Sequence, residues 1–358
     1  MLKYLLLCNL ISSAYCFVCK DQNNEPVEWF AVYKMPMENA DNSVPGIQKG
    51  VAWYYVDSNN KGALTPSQKT LDDKDQAIAY TLNQYYAKQF DSTIFHVMYN
   101  DEPYNSTSPT LLDALMSNRA ELPTIQFGHT KGTIFFDSTS GVWLIHSVPK
   151  FPPPDHYEYP ATGHDYGQTM LCLSFNYAAL EGIATQLYYN KPDIYSSQLP
   201  TKMAADFPVL AQVIAGKYKQ GEPYFNTLTL TTINGQKFTS FAKSNQFNND
   251  LYDGLVAPIL QTDLIAETWR RGSEIPLSCT TAYHTNDALE IQVGSTSEFK
   301  YTKDHSKMAR STDPTKPWVC IGDINRMTSQ YVRGGGTTCI SSTFLWKAFN
   351  VIKDENHC

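Results

Sequence analysis

Two triplets in this chain, His129-Thr130-Lys131 and His305-Ser306-Lys307, set an imidazole and an ammonium two residues apart. Along a β-strand, side chains at i and i+2 point to the same face, so each triplet presents its two groups side by side. Such a pair suits a phosphate: the ammonium holds anionic oxygens while the imidazole attacks phosphorus or supplies a proton. The spacing alone has little specificity, because 8 His and 22 Lys in 358 residues give about half a match by chance. The surroundings add more. Trp143 follows Lys131 by 12 residues and Trp318 follows Lys307 by 11, each opening an apolar strand, Trp143-Leu144-Ile145 and Trp318-Val319-Cys320-Ile321. A duplicated unit of His-x-Lys, connection and Trp-strand puts two such pairs on equivalent strands, which a pseudo-twofold axis brings together in one cleft. The copies differ past the Trp-strand, since Gly322-Asp323-Ile324-Asn325 follows only the second, and an Asn is therefore supplied once.

Two histidines and two lysines around a phosphodiester can work without a metal. One imidazole, neutral, attacks phosphorus to give a phosphohistidine; the other, protonated, donates to the leaving oxygen and then activates water. Lys131, Lys307 and Asn325 would hold the non-bridging oxygens as charge builds. The two histidines need opposite protonation states, so the apparent pKa values belong to the pair. His146, in the first Trp-strand, either lines the same cleft or is a hydrogen-bonded strand histidine that positions His305. Asp137 and Asp323 read as turn or cap residues, and Gly334-Gly335-Gly336 as a turn rather than a phosphate cradle. His156, His164, Asp155, Asp165 and Glu158 lie together without metal-ligand spacing, so neither a metal nor another cofactor is expected.

The elements that must carry these groups alternate. Val27 to Met35 and Val51 to Val56 read as strands, Leu71 to Tyr86 as a helix with Asp72, Asp73 and Asp75 in its first turn, and Ile94 to Tyr99 as a strand. A short helix over Leu111 to Arg119 precedes the strands Gly132 to Phe136 and Val142 to His146, joined by a turn at Gly141. Pro152, Pro153, Pro154 and Pro160 mark the stretch from Pro149 to Gly167 as a long surface connection, and place the boundary between two halves, 17–165 and 166–358. The second half begins with a strand, Thr169 to Phe175, and helices over Tyr177 to Tyr189 and Ala204 to Lys217. A hairpin turns at Asn234-Gly235. Helical periodicity over Asp250 to Arg270, interrupted at Pro258, precedes strands at Cys279 to His284 and Ala288 to Val293. Alternating strands and helices indicate an α/β layered fold.

Composition bounds the setting. Hydrophobic content of 42% against 18% charged is that of a folded globular chain. Lys3, the apolar run from Leu5 to Ile11 and the small residues Ser12, Ser13 and Ala14 have the layout of a signal peptide over residues 1–16. No later stretch approaches the ~20 apolar residues of a membrane span, so no membrane anchor is expected. Past residue 16 six cysteines remain, an even number that suits an oxidised framework but allows 15 pairings. Asn105-Ser106-Thr107 is a glycosylation sequon among loop residues. A net charge of −7 excludes coating of nucleic acid by bulk positive charge but leaves room for a local basic cleft, and eight histidines could cancel the deficit in acid.

Beyond this spacing, the segments Gly-His-Thr-Lys-Gly at 128–132, Trp-Leu-Ile-His-Ser-Val-Pro at 143–149, Gly-Gln-Thr-Met-Leu-Cys at 167–172, Asp-His-Ser-Lys at 304–307 and Gly-Asp-Ile-Asn-Arg at 322–326 resemble the deoxyribonuclease II family. The opening Pro26 to Lys34 does so too, and the likeness runs nearly the whole mature chain. The resemblance implies a phospholipase D-like fold of two fused α/β repeats, each a mixed sheet flanked by helices, sharing a pseudo-twofold active site. It implies a metal-independent acid endonuclease, lysosomal or secreted, that acts on DNA to leave 3′-phosphate and 5′-hydroxyl ends; either a monomer or a homodimer is expected. It also suggests the pairings Cys19 with Cys172, Cys279 with Cys358, and Cys320 with Cys339. One position departs: the family's Asp-His-Ser-Lys usually continues with Trp, and here Met308 stands there, which we expect to alter the packing behind His305. The residues leave two other readings open, a phosphodiesterase on lipid headgroups and a weakly active or inactive secreted relative that binds nucleic acid or a host surface. Complete His-x-Lys pairs favour an enzyme over a binder.

Overall fold

Residues 17–41, 43–104, 127–296 and 298–358 are described by the computed structural model. The expected leader over 1–16, the helix expected over 111–119 and the sequon at Asn105 lie outside the described residues.

Two large sheets dominate. The first has eight strands in the spatial order Ile194–Gln198, Phe95–Asn100, Lys131–Phe136, Ser140–His146, Gln168–Asn176, Trp29–Lys34, Trp53–Asp57, Thr65–Pro66. The second has nine. Its path runs Phe225–Thr231, Lys237–Lys243, Gly335–Ser341, Trp318–Gly322, Met308–Ser311, Leu264–Glu267, Thr285–Ile291, Phe299–Lys300, and Ile352–Glu355 pairs with Thr285–Ile291. Strands such as Trp29–Lys34 and Phe95–Asn100 are buried throughout, so they read as near-continuous apolar runs rather than alternating ones.

The two sheets share a core. Trp29, Ala31, Tyr33 and Ile145 of the first meet Met308, Val319, Ile321 and Ile340 of the second, and helix Leu180–Asn190 adds Leu180, Ile183, Ala184 and Leu187. On the far face of the first sheet, helix Ala77–Tyr86 packs Ile78, Leu82 and Tyr85 into a second cluster with Phe30 and Val32. On the far face of the second, the π-helical turn Tyr252–Val256 and helix Ala257–Leu260 cover Phe241, Leu264 and Ala266.

Several expected elements take other forms. The first helix begins at Ala77, not Leu71, because the Gln76 side chain caps it, accepting from the Ile78 and Ala79 amides at 2.7 and 3.3 Å. Asp73 accepts from Thr70 instead, and Asp75 pairs with Lys69. The periodic stretch from Asp250 ends as a helix at Leu260, with Gln261 in the left-handed region, and becomes the strand Leu264–Glu267. Residues 279–284 are turn, tied down by the Cys279–Cys358 disulfide, rather than strand. The expected helix over Ala204 to Lys217 is two, Thr201–Asp206 and Pro208–Ile214, divided where Pro208 opens the second.

The expected division at residue 165 falls inside the first sheet. Gln168–Asn176 is a central strand there, between Ser140–His146 and Trp29–Lys34, and Ile194–Gln198 is its edge; the chain changes sheets between Gln198 and Phe225. The proline-rich connection lies against the far face of that sheet through buried Phe151, Tyr157 and Tyr159. The three disulfides join Cys19 to Cys172, Cys279 to Cys358 and Cys320 to Cys339. The last links directly opposed residues of adjacent strands. Among the described residues, no helix is long and apolar enough to cross a membrane.

Candidate active site

Each His-x-Lys stands at the mouth of a strand, Lys131–Phe136 for the first and Met308–Ser311 for the second. Each is anchored to the opposite part of the chain. The His129 amide donates to Gly334 O at 2.8 Å, and Gly128 lies so close to Asn190 that a Cβ would fall 1.9 Å from its carbonyl oxygen. Conversely, the His305 amide donates to Gly167 O at 2.8 Å, the Lys307 amide to Thr169 Oγ1 at 3.1 Å, and the Tyr33 hydroxyl to Asp304 Oδ2. A Cβ on Gly167 would meet Asp304 Oδ1 at 2.4 Å. Glycine at 128 and at 167 is thus a requirement of close approach between segments distant in sequence.

The two imidazoles are held in different ways. Nδ1 of His129 contacts the Asp323 carbonyl oxygen. A carbonyl can only accept, so the proton sits on Nδ1 and Nε2 carries the lone pair. That Nε2 faces the Asn325 amide nitrogen at 3.4 Å and Asp101 Oδ2 at 3.7 Å. Asp323 is fixed in turn, its carboxylate accepting from Thr130 Oγ1 and from the Gly336 amide at 3.0 Å. His305 is held by rings. Tyr166 stacks on it at 5.1 Å between centroids and Trp269 meets it edge-on at 4.1 Å.

Charge is concentrated here. Lys131 and Arg333 both donate to Asp101, the latter at 3.1 Å, and Arg333 also holds Gly128 O at 3.0 Å. Lys307 donates to the His305 carbonyl. Burial tends to raise the Asp101 carboxyl, but His129, Lys131 and Arg333 outweigh it and hold it far below the carboxylate range. Burial, with Lys131, Arg333 and Lys307, pushes His129 well below the ordinary imidazole value, against the pull of Asp101. His305 is pushed down by burial and then by Lys307, Lys131 and His129. Both His-x-Lys pairs therefore act on one another within a single cluster. Burial and Lys131 bring Lys307 down to about 7, and burial raises Asp323 to about 6. Phosphate binding would reverse these costs, since an anion among the four basic groups favours their protonated forms.

His129, Lys131, His305, Lys307 and Asn325 are thus gathered in one place. His146 is placed differently. It is fully buried beside Lys131, its Nδ1 accepts from the Val148 amide at 3.2 Å, its ring packs edge-on against Phe151, and burial pushes it down to about 3. Asp137 caps its own turn, accepting from the Thr139 and Ser140 amides at 2.7 and 2.9 Å. Met308 lies fully buried in the core between the sheets, and the rings touching His305 are those of Tyr166 and Trp269. His156 pairs with Asp155 and Glu158 on the surface. Asp101, Arg333, Tyr166 and Trp269 join the cluster with no spacing signal in the sequence. Asp323, expected only as a turn residue, supplies the carbonyl that orients His129.

Comparison with known proteins shows the family of the chain. A family model described as Deoxyribonuclease II matches residues 18–358. The chain is 66% identical to Deoxyribonuclease-2 of Caenorhabditis elegans, over 97% of this chain and 96% of that protein. It is 38% identical to Plancitoxin-1 of Acanthaster planci, over 95% and 92%. It is 37% identical to Deoxyribonuclease-2-alpha of Rattus norvegicus, over 92% and 91%.

Proposed function

Because the chain belongs to the deoxyribonuclease II family, we infer that it is an acid endonuclease hydrolysing the phosphodiester bonds of DNA. The observation that carries a mechanism is the differing support of the two histidines. With its proton held on Nδ1 by the Asp323 carbonyl, His129 has a lone pair on Nε2 with which to attack phosphorus once substrate displaces the 3.4 Å contact from Asn325. The bond to the 5′-oxygen breaks as His305, as imidazolium, gives that oxygen its proton. Neutral His305 then takes a proton from water; the water oxygen attacks phosphorus, the P–N bond breaks, and a 3′-phosphate leaves. Lys131, Lys307 and Asn325 hold the non-bridging oxygens throughout.

The acid requirement follows from burial. His305 is pushed down in the free protein, so its imidazolium form needs acid and a bound phosphate. Lys307 is protonated below about 7 and loses its charge as pH rises through that value, with Lys131, Asp101, Asp304 and Glu267 around it. Both changes weaken the reaction towards alkaline pH. Duplex DNA incubated at about pH 5 in excess chelator is expected to be cut to 3′-phosphate ends, and the rate to fall steeply above about pH 7. Intact DNA would overturn the endonuclease reading, and a need for added magnesium would overturn the metal-free mechanism.

Asp101 restrains the cations that the phosphate needs. Asp101→Asn should tighten inhibition by inorganic phosphate about tenfold, since Lys131 and Arg333 lose their anionic partner. Asp101 also favours protonation of His129, so its loss should move the acid limb of kcat/KM about one pH unit lower. Unchanged phosphate inhibition would argue that Asp101 does not compete with substrate.

We further propose that the fold is phospholipase D-like, with two fused repeats divided between Gln198 and Phe225. The support is a matching order of strands in the two sheets. Lys131–Phe136, Ser140–His146, Gln168–Asn176 and Trp29–Lys34 are consecutive antiparallel neighbours, and so are Met308–Ser311, Trp318–Gly322, Gly335–Ser341 and Lys237–Lys243. A lysosomal or secreted destination fits the three disulfides.

A further inference from the structure

The polar centre of the site is buried, but its wall beside His305 is open to solvent. Tyr166 and Trp269 are both partly exposed, enclose His305, and touch one another at 4.8 Å between ring centroids. Over them lies the exposed side chain of Arg271, its guanidinium 4.7 Å from the Trp269 ring and 5.6 Å from that of Tyr166. One terminal nitrogen donates to Thr302 O at 2.7 Å, which fixes the fork while leaving most of its five donors unused. Among the described residues no carboxylate lies within ion-pair distance of it. On the His129 side the neighbours are the charged side chains of Asp101, Lys131 and Arg333 instead.

We infer that Tyr166, Trp269 and Arg271 form a subsite for the nucleotide on the leaving-group side of the scissile phosphate, with its base against the rings and the next phosphate on the guanidinium. This rests on the phosphodiester reading above, in which His305 protonates the departing 5′-oxygen. The nucleoside bearing that oxygen must then extend past His305, and what it meets there is an aromatic wall. Every base offers a π-face, so such a wall binds without regard to sequence. A guanidinium poised over aromatic rings keeps its in-plane donors for a phosphate, and Arg matches phosphate geometry in two-pronged fashion. With a net charge of −7 the chain has no bulk attraction for DNA, so cations placed along the strand's path must supply it.

The test uses the mature protein and two substrates. In an oligonucleotide carrying a single abasic residue, cleavage should slow about tenfold when the gap is 3′ to the cleaved phosphodiester, and much less when it is 5′. Arg271→Ala should lose about tenfold in kcat/KM on DNA, with a plot of log rate against log salt shallower by roughly 0.7–0.9. It should hydrolyse thymidine 3′-(4-nitrophenyl phosphate), which has no phosphate beyond the leaving group, at the parent rate. An abasic effect equal on both sides, or parent-like cleavage and salt dependence in Arg271→Ala, would overturn the subsite while leaving the endonuclease intact. Failure of the parent protein to cleave either substrate would overturn the underlying reading instead.

Discussion

Replacing His129 by alanine is expected to lower DNA cleavage by about 10⁴-fold or more, because in the proposed mechanism its Nε2 is the nucleophile. His305→Ala should be comparably damaging on DNA, whose 5′-alkoxide cannot leave unprotonated. The two variants should part on an ester that needs no acid. With 4-nitrophenolate as leaving group, His305→Ala should still release a burst of about one nitrophenolate per molecule and stall at the phosphohistidine, whereas His129→Ala should show no burst. The opposite pattern would exchange the two roles, and near-parent rates in both would remove the pair from the chemistry. Circular dichroism on each variant separates lost chemistry from lost fold. The assignment follows from the Asp323 carbonyl on His129 Nδ1 and from the aromatic enclosure of His305.

Arg326→Met should destabilise the protein by about 3–5 kcal/mol, the cost of leaving buried carboxylates without their cation. Arg326 is fully buried. Its Nε donates to Asp287 Oδ1 and its Nη1 to Asp250 Oδ2, both at 2.8 Å; Asp253 is 3.1 Å from the same nitrogen, and Nη2 reaches Thr285 O at 3.1 Å. These contacts tie the strand Thr285–Ile291 to the Tyr252–Val256 turn, immediately beside Asn325. The loss should be smaller at pH 5 than at pH 7.5. Burial already raises the Asp250 carboxyl, and without Arg326 it rises further above its unfolded value. The folded variant then binds a proton that the unfolded chain releases, so its stability recovers as pH falls towards the unfolded carboxyl value. Chemical denaturation at the two pH values measures both effects, and a loss below about 1 kcal/mol at neutral pH would show that the cluster does not act as a charge-balanced unit.

Much of the architecture was legible because buried strands are apolar runs whatever lies beside them. Trp29–Lys34, Phe95–Asn100 and the Trp143 and Trp318 strands appear close to where their composition places them. What the runs do not carry is their neighbours. Gln168–Asn176 follows a proline-rich stretch that looks like a boundary, yet it inserts between Ser140–His146 and Trp29–Lys34. One of those two partners, Trp29–Lys34, is more than 130 residues away, so a local pattern can state that a strand is buried but not where. The periodicity over Asp250 to Arg270 misled for a related reason, since helix and strand are both apolar on either side of a break of only three polar residues, Gln261-Thr262-Asp263, too short to stand out from the helical period.

The sequence by itself picked out the candidate groups. His129, Lys131, His305 and Lys307 carry a repeat, and these four with Asn325 lie in family-like motifs; both are properties of order along the chain. Tertiary structure decided their states. Asp101 gains its meaning only where Lys131 and Arg333, 202 residues apart, donate to the same carboxylate. His129 acquires a defined tautomer from a carbonyl at Asp323, and His305 its enclosure from rings at 166 and 269. The physical reason is that orientation and pKa depend on desolvation and on charges within a few ångströms. Folding creates those surroundings, and residue order alone does not specify them.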